Sequence, residues 1–295
     1  MKKALILIIC LTVLSSCHAQ KGIIADGAEL TLVAEEYSFT EGPAMAPNGD
    51  VYFTDQPNDR ILKWDTRQNS VETYLQPSGR SNGLYFDNDG NLLSCADEKN
   101  ELWRIDAQKK VTVLVSDFEE KKLGGPNDLW VDPQGGIYFT DPFYKRSWWT
   151  HTEPEIAERR VYYLSPDKKE LKIVARDFVM PNGIIGTADG KTLYVADIGD
   201  KKTYIYTVQK EGTLTNRRLF CELGSDGMTL DHKGNVYLTG DGVTVFNAKG
   251  EQVQHIPVPE KWTANVTFGG PDQDILFITA MDSVYTLEMV VHGVR

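Results

Sequence analysis

Six polar residues recur along this chain in equivalent settings: Glu41, Asn82, Asn127, Asn182, Asp226 and Asn265. Every one offers an oxygen donor, and none is His, Cys or Lys. Two carboxylates balance one divalent cation, and four amide carbonyls add ligands without further repulsion. Oxygen-only donors suit hard ions, so Ca2+ fits best, with Mg2+, Mn2+ and Zn2+ as alternatives. The lack of His and Cys argues against a structural zinc site. The competing explanation is turn chemistry, because Asn and Asp before Gly are common turn formers. Two copies favour the cation. Glu41-Gly42 and Asp226-Gly227 switch to carboxylates while keeping the glycine, and Glu is a poor turn residue.

The elements that must position these residues form an internal repeat. Each copy runs from the polar residue through a short apolar strand, a turn and a second apolar strand that ends on Asp. The turns read PNGD, NDGN, PQGG, ADGK, HKGN and PDQD, and the second strands end at Asp55, Asp97, Asp141, Asp197, Asp241 and Asp282. Gly and Asn accept the positive φ that tight hairpins need. Period-two alternation then predicts a third strand, as at 61–64, 102–105 and 161–164, and a fourth, as at 71–75, 111–115 and 171–175. Four strands in a repeat of roughly forty to fifty-six residues make a propeller blade. The fold class is therefore all-β: a six-bladed β-propeller of four-stranded blades. The last copy shows three strands, and the segment Leu30 to Ala34 supplies the missing one, closing the ring. Innermost strands run along a propeller's channel, so the six polar residues should gather at one mouth of it.

The six terminal Asp residues vary little in type, and the expectation is structural: each accepts backbone N–H groups at the turn into strand three. Between Asp141 and Val161 the chain carries PFYKRSWWTHTEPEIAERR, longer than its counterparts. Adjacent exposed Trp residues are costly, and long loops on repeat scaffolds often carry function. A net charge of −11 argues against nucleic-acid partners. Lys2, Lys3 and the apolar run from Ala4 to Leu14 form an export signal too short to span a bilayer. Leu14-Ser15-Ser16-Cys17 reads as a lipoprotein box with lipidation at Cys17, against plain cleavage after Ala19. Residues 1–19 are thus the signal region and 20–295 one propeller domain, exported to a bacterial periplasm or outer membrane. Membrane attachment would come only through that N-terminal lipid. Cys95 and Cys221 fall in different copies and are expected to be unpaired core residues.

Together, Glu41-Gly42-Pro43, Pro126-Asn127-Asp128, Pro181-Asn182-Gly183 and Ser225-Asp226-Gly227 resemble the motifs of the regucalcin/gluconolactonase family of six-bladed propellers. The resemblance covers nearly all of the mature chain, and PNDLWVDPQGGIYFTDP is most similar to the bacterial gluconolactonase branch. It implies a divalent ion on Glu41, Asn182 and Asp226, with Asn127 a fourth ligand, direct or through water. It also implies hydrolysis of sugar lactones, with the ion polarising the carbonyl and Asp226 as general base on a metal-associated water. The animal branch has a sugar-contacting Arg where Gly125 stands here. Arg80, Lys145, Arg146 or His151 would have to replace it, and Asn82 and Asn127 are further candidates for substrate contact. Two alternatives remain open: a phosphotriesterase or non-sugar lactonase on the same ion, and a non-catalytic propeller binding a glycan or protein. No G-x-S-x-G elbow is present, and the five His residues offer no paraoxonase-type dyad.

Overall fold

A computed structural model of the chain describes residues 22–294; the expected signal region, including Cys17 and Ala19, lies outside the described residues. Six four-stranded antiparallel sheets surround a central channel, as expected of a six-bladed propeller. Blade 1 is typical: Thr40–Met45 innermost, then Val51–Asp55, Arg60–Asp65 and Ser70–Leu75. The innermost strands of blades 2 to 6 are Ser81–Phe86, Leu129–Val131, Pro181–Gly186, Met228–Leu230 and Thr263–Gly269. Blade 6 takes its fourth strand from the other end of the chain: Thr31–Ala34 pairs antiparallel with Ser283–Glu288, Thr31 opposite Thr286. A small hairpin, Asp117–Phe118 with Lys121–Lys122, follows blade 2.

The hairpins between first and second strands form at the expected turns. Gly49, Gly90, Gly135, Gly190 and Gly234 hold φ between +69° and +90°, and in blade 6 Gln273 takes φ 57° without glycine. Second strands such as Leu92–Ala96, Ile137–Asp141 and Val236–Gly240 are buried along their whole length, so the sheets are apolar on both faces, and these faces stack blade on blade. Six buried clusters result, one per interface between neighbours. The closing interface is one of them: Val51, Phe53 and Trp64 of blade 1 meet Phe277 and Val284 of blade 6, with Trp64 stacked on Phe277 at 5.3 Å. Apolar burial of this kind supplies most of the driving force for ring closure. Cys95 and Cys221 are buried and unpaired, as expected. No described helix is long and apolar enough to cross a membrane.

Candidate functional site

The six polar residues do gather at one end of the channel, but they are not turn residues. Glu41, Asn82, Asn182 and Asn265 lie inside innermost strands, at irregularities in register between Glu41/Ala44, Ser81/Leu84, Pro181/Ile184 and Thr263/Asn265. Asn127 and Asp226 stand two residues before the corresponding strands. The glycine that follows four of them, Gly42, Gly83, Gly183 and Gly227, lets the next blade approach. A Cβ on Gly42 would fall 2.0 Å from the Asn82 carbonyl oxygen, and one on Gly227 would fall 1.9 Å from Asn265 Cγ. Threonines tie the contacts down. Thr54 Oγ1 donates to the Asn82 carbonyl (3.2 Å), Thr140 Oγ1 to that of Asn182 (2.7 Å) and Thr239 Oγ1 to that of Ala264 (2.8 Å).

Glu41, Asn82, Asn127, Asn182 and Asn265 are almost fully buried. Asn182 Nδ2 donates to Asp226 Oδ1 at 2.7 Å and to the Tyr144 hydroxyl at 2.9 Å. The Trp262 indole N–H donates to Asp226 Oδ2 at 2.6 Å. At the closing interface between blades 6 and 1, Asn265 Nδ2 donates to Glu41 Oε2 at 3.1 Å, and the Gly42 N–H donates to the same oxygen at 2.6 Å. Asn127 holds the ring through its backbone: its N–H donates to the Thr140 carbonyl and its carbonyl accepts from Gly83 N–H at 2.8 Å.

The electrostatics favour a cation here. Desolvation, with repulsion from Asp226, pushes the Glu41 carboxyl well above the usual carboxylate range. Desolvation raises Asp226 to about 6, against the lowering pull of the Trp262 and Asn182 hydrogen bonds. Asp128, next to Asn127, is raised by burial to about 7. Two carbonyl oxygens in the ring, Asn82 Oδ1 and Asn182 Oδ1, are buried with no hydrogen-bond donor. Buried acceptors without partners are rare and call for a ligand. Two mutually repelling carboxylates beside two orphaned amide oxygens fit a hard divalent ion. Among the described residues no group of three or more His, Cys, Asp or Glu is placed to hold a metal. The candidate set is two carboxylates completed by amides.

The long loop reaches this mouth, as its aromatic content suggested. Tyr144 contacts Asn182 as above. Arg146 Nε donates to Asp97 Oδ2 at 2.6 Å, and the Trp149 indole donates to the Asp97 carbonyl at 2.7 Å. The Arg80 guanidinium lies over the Trp148 ring at 4.5 Å and donates to the Pro57 carbonyl. Lys145 is exposed. His151 stacks on Trp149 at 4.7 Å near Phe143, with Lys122 and Glu155 as its charged neighbours, none of them a ring residue.

The terminal Asp residues depart from expectation in an informative way. Asp55, Asp141 and Asp197 do accept backbone N–H bonds, but chiefly from the segment leading into their own blade's innermost strand. The donors are Ser38 and Phe39, Gly124 and Gly125, and Val179 and Met180; Asp197 also takes one from Asp200, at the turn into strand three. The lead-in chain, rather than that turn, is what would otherwise hold unpaired donors beside the channel. Asp97 accepts instead from Arg146 and from Gln56 Nε2 (3.0 Å). Asp241 and Asp282 are exposed. The sequence reading singled out neither Trp262, Tyr144 nor Gln56. Trp262 carried one usable signal, a large aromatic three residues before a ring position.

The chain is similar over 297 aligned residues to the gluconolactonase of Zymomonas mobilis subsp. mobilis, at 27% identity over 90% of this chain and 82% of that one. Its structure superposes on a Xanthomonas campestris gluconolactonase with a TM-score of 0.84 and 31% identity, covering 90% and 91% of the two chains. A calcium-binding regucalcin from Agrobacterium tumefaciens shares the fold, with a TM-score of 0.75, 20% identity, and coverage of 90% and 95%. Residues 39–282 match the family described as SMP-30/gluconolactonase/LRE-like region, and the chain belongs to that family.

Proposed function

We propose that the protein is a metal-dependent hydrolase that opens sugar lactones at this mouth. The observation that carries the reading is the convergence of Glu41 and Asp226 beside the partnerless Asn182 oxygen. The names of its gluconolactonase relatives support the substrate class, and the calcium-binding regucalcin supports the ion class. Glu41, Asn182 and Asp226, with Asn127, would hold a divalent cation, Ca2+ before Mg2+ or Mn2+. When bound, the ion supplies Lewis-acid polarisation of the lactone carbonyl and acidifies a nearby water.

The protein's own groups do the rest. Glu41 is fixed by Gly42 N–H and Asn265, so it serves as a ligand. Asp226 sits at the more open side of the ring and is held at both oxygens, by Trp262 and Asn182. A carboxylate so fixed can orient an attacking water and take its proton. The loop from 142 to 159 walls the mouth with Tyr144 and Arg146. The expected export signal would put this chemistry in the periplasm or at the outer membrane of a bacterium.

The test is hydrolysis of δ-gluconolactone by purified protein, before and after chelation and on re-addition of Ca2+, Mg2+ or Mn2+. Activity should vanish with the ion and return with it. Activity that survives thorough metal removal would sink the mechanism. Asp226→Asn should abolish turnover; a folded, fully active variant would remove Asp226 as the base.

A further inference from the structure

Blade 2 parts from blades 1, 3 and 4 at Asp97. In blades 1, 3 and 4 the corresponding Asp binds the backbone leading into the innermost strand. In blade 2 that work has passed to Asp59, whose Oδ1 accepts from Ser78 N–H at 2.9 Å and from Arg80 N–H at 2.7 Å. Asp97 is thereby released. It is buried, and its Oδ2 meets Arg146 Nε at 2.6 Å and Gln56 Nε2 at 3.0 Å. Gln56 is itself buried, in the short turn that follows blade 1's second strand.

The cation held this way is Arg146. Its guanidinium packs by the rings of Tyr144 and Trp148 at 5.5 and 5.6 Å, and its charge is felt at Asp226. The bond to Asp97 engages Nε and leaves the Nη groups as further donors, on a side chain 22% exposed. Nearby, the space beside Gly125 is closed. With φ +127°, a Cβ there would lie 3.0 Å from both Trp149 Cη2 and Asp97 Oδ1. A side chain at that position would be strained and crowded, and it is the loop that brings a guanidinium to Asp97. The acidic surroundings and the net charge of −11 disfavour an anionic ligand. A planar fork of N–H donors then suits neutral, hydroxyl-rich rings.

On the lactonase reading above, we propose that Arg146 determines specificity by gripping ring hydroxyls of a polyhydroxylated lactone, and that Asp97 and Gln56 are the positioning residues that aim it. Lactones without hydroxyls gain nothing from this arm.

The experiment compares δ-gluconolactone with δ-valerolactone, which lacks hydroxyls, in the Ca2+-loaded wild type, Arg146→Gln and Asp97→Asn. Arg146→Gln should lower kcat/KM for δ-gluconolactone roughly tenfold or more, mainly through KM, and change that for δ-valerolactone less than about threefold. Asp97→Asn should repeat the pattern more weakly. Ca2+ affinity of Arg146→Gln, measured by titration calorimetry, should be equal or tighter, since a nearby positive charge has gone. Equal losses on both lactones, an effect confined to kcat, or no loss at all overturns the proposal. A loaded wild type inert towards both lactones would instead overturn the lactonase reading, and this proposal with it.

Discussion

At the residue scale, the orientation of Asp226 rests on Trp262. An indole N–H donating at 2.6 Å to a carboxylate is a charge-assisted bond, and it fixes which lone pairs face the mouth. Trp262→Phe keeps most of the ring and removes the donor. Calcium binding should weaken about tenfold, with kcat/KM falling by at least as much, both measured on the same preparation. The ring residues themselves were legible in sequence, because a polar position that keeps its place through six repeats while alternating between amide and carboxylate asks for a ligand. Trp262, Tyr144 and Gln56 were not. Each lies outside the repeat register and meets its partner only once the blades stand side by side. Asp97 was misjudged for the opposite reason: it obeys the repeat in sequence and leaves it only in three dimensions, where Asp59 takes over its work.

At the scale of elements, the strands and their hairpins followed from alternation and turn residues. The expected third and fourth strands fall within Arg60–Asp65, Ser70–Leu75 and their equivalents. The hairpin Asp117–Phe118 with Lys121–Lys122 escaped, since two-residue strands carry no periodicity. Turn chemistry was the competing explanation for the ring residues and the glycines after them, whereas the structure uses those glycines where adjacent blades nearly touch. Gly42 has φ +47° and faces backbone, which cannot step aside as a side chain would. Gly42→Ala should therefore destabilise the protein by roughly 2–4 kcal/mol, read as a lowered midpoint in urea. Gly90→Ala offers a comparison, because open space surrounds a Cβ there and only the positive φ of 83° resists it. Its cost should be smaller, about 1 kcal/mol.

At the scale of the molecule, buried carboxylates dominate the response to pH. Burial raises Glu41, Asp226, Asp128 and Asp97 above their ordinary values, Asp226 and Asp97 to about 6 and Asp128 to about 7. Each holds its proton in the folded state at a pH where the unfolded chain has lost it. Their contribution to stability therefore falls as pH rises from about 4 to about 7. A cation on Glu41 and Asp226 reverses that loss, so the rise in Tm on adding Ca2+ should be larger at pH 7.5 than at pH 5. An equal rise at both would contradict the assignment. Deleting residues 22–34 removes the closing strand and bares the edge of Ser283–Glu288, and should lower Tm and promote association measurable by light scattering. The closing strand was foreseen because blade 6 came up one strand short. The same closure has a consequence in time. Glu41 in the first blade and Asn265 in the last are hydrogen-bonded across most of the chain's length. During synthesis the cation site stays incomplete until almost the whole polypeptide has emerged. On the proposed function, the ion would then be drawn from whichever compartment the last blade folds in, and the metal content of the mature protein would record where its folding ended.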